Sequence, residues 1–209
     1  MVNNASAGRR FIAKGRADFP KLDELFAAVA EDGQRAGGII RGIRSMVKKG
    51  EAVREPVALG KVIDGTLRLT VADASARDCV LTPEVAKELP LVEGDAVQLQ
   101  QVLLNLIING CEAMRDSPSD QRRIVIRAER EAGERVRVSV RDSGAGLPAE
   151  NPQRISAQFF STKREGMGMG LAIARGIISS HGGELACAQA DGGGALVHFS
   201  LPASGGNGA

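Results

Sequence analysis

Residues Gln101 to Met114 read QVLLNLIINGCEAM, a run apolar on almost every side of a helix, yet with Asn105 and Asn109 one turn apart in its middle. On a helical wheel Gln98, Gln101, Asn105, Asn109 and Glu112 fall on one stripe at i, i+3, i+4 spacing. Val102, Leu103, Leu104, Leu106, Ile107, Ile108 and Cys111 surround it. The stripe is either the solvated face of a surface helix or the lining of a pocket. Solvated faces usually carry Lys, Glu and Arg, whereas a mid-helix Asn costs about 0.6 kcal/mol relative to Ala. The apolar residues also cover more of the circumference than a surface helix needs. A carboxamide confined in this way suits a neutral ligand group, and its oxygen can coordinate a hard cation such as magnesium.

On either side of this helix the pattern is mixed α and β. Val57 to Val71 reads as a helix and CVLTPEV as a short strand. RRIVIRAER and RVRVSVRDSG alternate strictly, placing Ile124, Ile126 and Ala128 on one face and Val136, Val138 and Val140 on another, as neighbouring half-buried strands do. Asp142 shares the parity of those valines and points to the buried side, where the strand gives way to Gly144 and Gly146. A carboxylate there needs a donor or costs several kcal/mol. It is either a turn-capping Asp or an acceptor for an exocyclic amine such as that of adenine. With no Trp or Tyr in the chain, aliphatic side chains such as Leu147 would sandwich the ring.

Residues 149 to 165 hold no period and are longer than most loops of compact domains, which favours a lid over a linker. The following GMGMGLAIARGI places Gly166, Gly168 and Gly170 before an apolar-periodic helix over Leu171 to Ser180. The glycines are a flexible hinge or an anion site formed by free N–H groups and the positive helix end, with Lys163 adding a cation suited to polyphosphate. Neither Walker nor dinucleotide spacing is present. HGG stops that helix, GELACAQ and ALVHFSLP close the sheet, and ASGGNGA is expected to be a disordered tail over 203–209.

Toward the N-terminus, Leu22, Leu25, Phe26, Val29, Ile39, Ile40, Ile43, Met46 and Val47 recur near heptad spacing, as in a long helix packing on other helices. KKGEAVREPV ends it, placing a boundary between a helical segment over 1–55 and a domain over 56–202. The 209 residues are 43% hydrophobic and 25% charged, as in ordinary globular proteins. A net charge of +2, six Phe and no other aromatic ring argue against nucleic acid or a membrane surface as partner. Three scattered cysteines suit neither a disulfide framework nor a zinc site, and read as reduced thiols of a cytoplasmic protein. No apolar stretch approaches membrane-spanning length.

In order, NLIIN, DSGAG, FFSTK and GMGMGL resemble the N box, first glycine box, F box and second glycine box of sensor histidine kinases, members of the wider superfamily of ATPases with the Bergerat fold. The resemblance covers about residues 57–202, and the short lid is most similar to the nitrogen-regulation and oxygen-sensing branch. It implies an α+β fold, a two-layer α/β sandwich whose mixed sheet is covered by helices on one face, preceded by a remnant of helical dimerisation segments. It implies ATP or ADP as ligand with magnesium. Asn109 would be the metal ligand and Asn105 a phosphate or metal-shell contact. Asp142 would bind the adenine amine, with Gly144, Gly146 and Leu147 about the ring. Thr162, Lys163, Gly166, Gly168, Gly170 and Leu171 would close over the nucleotide.

The segment AAVAEDGQRAGGIIRGIRSMVKKGE resembles the second helix of that family's dimerisation and phosphotransfer domain, and NNASAGRRFIAKG the end of its first. A homodimer through this segment and a response-regulator receiver domain are the implied partners. The family's phosphoacceptor His is missing from the pattern. His181 and His198, the two histidines present, do not match its context. The expectation is a piece of a longer sensor, whose membrane anchor would lie elsewhere, that binds nucleotide without phosphorylating itself. RISAQFF departs from the usual aromatic, acid and proline before the Phe. Two rivals stand beside this reading: another Bergerat ATPase, against which Asn105 speaks because those enzymes carry a water-activating Glu there, and a non-catalytic docking module.

Overall fold

The computed structural model describes Phe19, Leu22, Phe26, residues 54–147 and residues 169–205. The chain divides into two compact units, Met1–Lys49 and Gly50–Ala209. Of the first, Phe19, Leu22 and Phe26 are helical; the rest of the expected N-terminal helix lies outside the described residues.

The second unit is built on a five-stranded sheet, β2 (Val80–Val85), β4 (Arg123–Glu131), β5 (Arg135–Asp142), β7 (Ala195–Pro202) and β6 (Glu184–Gln189) in spatial order. β2 runs parallel to β4 and every other neighbour is antiparallel, so the sheet is mixed. Strand alternation places Ile124, Ile126 and Ala128 beside Val140, Val138 and Val136 on one buried face, which Leu185, Phe199 and Leu201 continue. The opposite face carries Arg123, Arg127, Glu129 and Glu131 of β4 and Arg135, Arg137 and Arg141 of β5, and there Arg127 pairs with Glu84 of β2.

Three helices cover the buried face. α1 (Leu59–Ala76) presents Leu59, Val62, Ile63, Thr66, Thr70 and Ala74 as one stripe. Its two threonines can lie on that stripe because each hydroxyl donates to the carbonyl one turn back, Thr66 to Val62 at 2.7 Å and Thr70 to Thr66 at 2.9 Å. α2 (Ala96–Ala113) contains the opening motif and buries Leu99, Val102, Leu103, Leu106, Ile107, Gly110 and Cys111. Asp95 caps it, accepting from the N–H groups of Val97 (2.8 Å) and Gln98 (3.2 Å). α3 (Met169–Ser180) buries Ile173, Ala174, Ile177 and Ile178. The sequence places these helices and strands to within a few residues of where they lie; α1 runs past Val71 to Ala76.

A second, two-stranded sheet pairs β1 (Glu55–Val57) with β3 (Val92–Gly94) and buries Val57 and Val92. Strands this short hold too few alternations for a period to be read. The expected domain edge at Pro56 falls inside β1. Ala203 and Ser204, assigned to the tail from sequence, are tied down: Ala203 bridges Val92 and donates to the Glu134 carbonyl at 2.8 Å, and Ser204 donates to the Leu91 carbonyl. Residues 206–209 lie outside the described residues.

All three cysteines are free thiols, with Cys79 and Cys111 buried. A hydrogen bond between those two holds Cys79 below the ordinary thiol range and, with burial, pushes Cys111 up. Among the described residues no helix is long and apolar enough to cross a membrane.

Candidate functional site

Asp142 ends β5 on its inward-facing parity and is 7% exposed. One carboxylate oxygen, Oδ1, accepts from the N–H of Gly144 at 2.9 Å and from that of Ala195 at 3.1 Å. Two backbone donors on one oxygen fix the plane of the carboxylate and offset part of its burial cost. Among the described residues no hydrogen bond falls on Oδ2, so its acceptor capacity is left for a ligand.

The last turn of α2 packs directly against this acid. A Cβ at Gly110 would lie 3.4 Å from the Asp142 Cβ and 3.0 Å from Ile124 Cδ1. One at Gly144 would lie 2.8 Å from the Ala113 carbonyl oxygen, so only glycine lets the loop pass this close to the helix. Asn109 stands on the same turn, exposed, beside Gly110. The loop then crosses to β6, where the Leu147 N–H donates to Gln189 Oε1 at 2.8 Å. Gly146 takes a φ of +79° against the same carboxamide.

The stripe on α2 faces the N-terminus of α3. Asn105 donates through Nδ2 to the Gly170 carbonyl at 3.4 Å and accepts at Oδ1 from Gln101 Nε2 at 3.2 Å. A Cβ at Gly170 would approach Asn109 Nδ2 to 3.6 Å. Asn105, Asn109, Gly170 and the strand-end acid therefore gather about the C-terminal half of α2, with the positive end of α3 among them. Leu171 follows in the first turn of α3, half-buried. Thr162, Lys163, Gly166 and Gly168 lie outside the described residues, as do Phe159 and Phe160.

Residues that sequence reasoning passed over secure this arrangement. Ala195 supplies the second donor to Asp142 and Gln189 anchors the glycine loop. The run DGGG over 191–194 was the available signal, since three consecutive glycines imply backbone conformations or approaches closed to other residues. Among the described residues no group of three His, Cys, Asp or Glu side chains could hold a metal unaided. An amide oxygen such as that of Asn109 fits magnesium, which takes few protein ligands and fills its octahedron with water and phosphate oxygens.

Residues 94–205, from the last residue of β3 to just past β7, match the model of histidine kinase-, DNA gyrase B-, and HSP90-like ATPases. Sensor protein FixL of Bradyrhizobium diazoefficiens is 36% identical over 205 residues, which is 97% of this chain and 40% of that protein. The solved catalytic domain of histidine kinase ThkA, nucleotide-free, is 31% identical with a TM-score of 0.63, covering 72% of this chain and 95% of its own. The structure of ThkA in complex with the response regulator TrrA is 26% identical with a TM-score of 0.70, covering 97% of this chain and 58% of that one. The match spans the glycine-lined acid, the carboxamide helix and the closing strands together, and by it the chain belongs to the family of histidine kinase-, DNA gyrase B-, and HSP90-like ATPases.

Proposed function

We propose that this chain is the ATP-binding kinase part of a sensor histidine kinase, moving the terminal phosphoryl group of ATP to a histidine nitrogen for relay to a response-regulator aspartate. The observation that carries this reading is the state of Asp142. It is buried and pinned through one oxygen by two backbone N–H groups, beside a helix turn that bears Asn109. An acid presenting its remaining oxygen suits the amine of adenine, and Gly144 and Gly146 leave room for a flat ring. Leu147 offers an aliphatic face to it.

At the other end of the slot Asn109 would hold magnesium and Asn105 the phosphate side of the metal shell. Gly170, with Leu171, would present the α3 N-terminus to the triphosphate. Thr162, Lys163, Gly166 and Gly168 would complete the cover. Magnesium, when bound with the nucleotide, neutralises charge on the phosphate oxygens. The chain's own residues bind and align the nucleotide, so that the terminal phosphorus is presented in line to an incoming nucleophile. Asn105 is an amide engaged at both ends, not a base, and cannot activate water as a Glu would.

The acceptor histidine lies outside this chain's readable pattern. His181 has both ring nitrogens engaged, and His198 Nδ1 is buried without a partner among the described residues. Incubation with radiolabelled ATP is therefore expected to leave no acid-labile label on this chain; a label would overturn that point. By likeness to the ThkA complex with TrrA, the proposed partner is a response-regulator receiver domain. The kinase reading is tested by thermal melting with an ATP analogue, with and without magnesium. Stabilisation of the wild type that needs both, and is lost in Asn109→Ala, is the expected result. Equal melting in all samples contradicts it.

A further inference from the structure

His181, at the C-terminal end of α3, is 4% exposed and stands at the end of that helix opposite the nucleotide slot. Its Nε2 accepts the Asp95 backbone N–H at 3.0 Å. Because that nitrogen is the acceptor, the proton sits on Nδ1, which donates to the Ile177 carbonyl at 2.7 Å. Asp95 is also the cap of α2. The imidazole thus bolts the end of α3 to the start of α2. Gly94 leaves the space for it, since a Cβ there would meet His181 Cδ2 at 2.6 Å and Nε2 at 3.0 Å.

The opposite ends of the same two helices meet where Asn105 donates to the Gly170 carbonyl, so α2 and α3 run antiparallel. From Asp95 to Asn105 the axial distance is about 15 Å, and from Gly170 to His181 about 16 Å. The two ties therefore stand at matching separations along two rigid rods. Sliding α3 at the His181 end slides Gly170 past Asn105 and Asn109 by the same amount. From this geometry we infer that His181 is a positioning residue for the nucleotide site, setting the axial register of α3 on α2 and through it the placement of the α3 N-terminus against the carboxamides. The inference rests on the nucleotide reading of that site.

Two substitutions separate this role from simple structural support. In His181→Asn the side-chain amide reaches the Nδ1 position and can still donate to Ile177, but cannot reach Asp95. In His181→Gln the amide oxygen reaches the Nε2 position and keeps the Asp95 bond while the Ile177 bond is lost. Each variant forfeits one hydrogen bond, but the Ile177 carbonyl keeps the His181 N–H (3.1 Å) and the Ser180 hydroxyl (2.7 Å) as donors, while the Asp95 N–H loses its His181 acceptor. The ligand-free melting temperature should therefore fall somewhat further in His181→Asn. Affinity for a fluorescent ADP analogue with magnesium should split, weakened about tenfold in His181→Asn and less than about threefold in His181→Gln. Gly94→Ala, which pushes the imidazole out of its slot, should weaken affinity as His181→Asn does. In a double-mutant cycle the two losses should not add. In ligand-free protein the Asn105 side-chain amide resonances should move in His181→Asn and return toward the wild-type position in His181→Gln.

Affinity that follows melting temperature alike in all variants, with unmoved Asn105 resonances, overturns the inference while leaving the nucleotide site standing. A wild type that binds no nucleotide overturns both readings, and the resonance shifts then report only on helix register.

Discussion

At Gly194 the turn between β6 and β7 runs with φ of +84°, and a Cβ there would lie 1.9 Å from the Asp142 carbonyl oxygen. That contact brings the next residue, Ala195, within hydrogen-bonding distance of the Asp142 carboxylate. Gly194→Ala should therefore cost roughly 3 kcal/mol or more in urea unfolding, because strain and collision act together and neither backbone can yield without losing the acid's donor. A loss below 1 kcal/mol would mean that the turn repacks freely. The inward parity of Asp142 was legible from the alternation of Val136, Val138 and Val140, since a period of two carries through the strand end. Its partners were not, because Ala195 lies 53 residues further along the chain and no local pattern announces the meeting.

Among the elements, the turns that follow α1 and α2 share one cation. The Arg122 guanidinium donates to the carbonyls of Ser117 (3.0 Å), Arg77 (2.9 Å) and Arg115 (3.0 Å), groups near helix ends that α1 and α2 do not satisfy themselves. The fork geometry lets one side chain serve three acceptors, which a lysine cannot reproduce. Arg122→Met should lower stability by about 2 kcal/mol in urea unfolding, and Arg122→Lys should recover less than half of that. Full recovery by lysine would show that charge, not the fork, matters. In the sequence Arg122 is only the polar residue ahead of a strand. The helices themselves were readable because eighteen residues of α2 give several turns of apolar period, whereas β1 and β3 have three residues each.

At the scale of the whole molecule, two groups on the sheet's outer face contribute to the response to acid. Burial, then the nearby Arg137 charge, holds His198 below the ordinary histidine range. The Ser200 hydroxyl, and to a lesser degree Arg137, hold Glu131 below the ordinary glutamate range. Both shifts have the same sign for stability: the unfolded chain binds protons more readily, so stability is gained as pH rises and lost as it falls. The His198 contribution should fade below roughly pH 6.5 and that of Glu131 below roughly pH 4.3, the values where the unfolded groups titrate. His198→Gln should flatten the upper part of the pH–stability curve and Glu131→Gln the lower part. Unchanged curves would place the acid response elsewhere.

The account as a whole depends on one carboxylate meeting a purine. Asp142→Asn can keep its amide oxygen on the Gly144 and Ala195 donors while an NH2 group replaces Oδ2, so that a donor would face the adenine amine instead of an acceptor. The most direct measurement is calorimetric titration of a non-hydrolysable ATP analogue with magnesium into the wild type and into Asp142→Asn that retains its fold by circular dichroism. The account predicts saturable one-site binding to the wild type and at least about a tenfold loss, ~1.4 kcal/mol, in the variant. Equal affinity for both, or no heat from either, would contradict it.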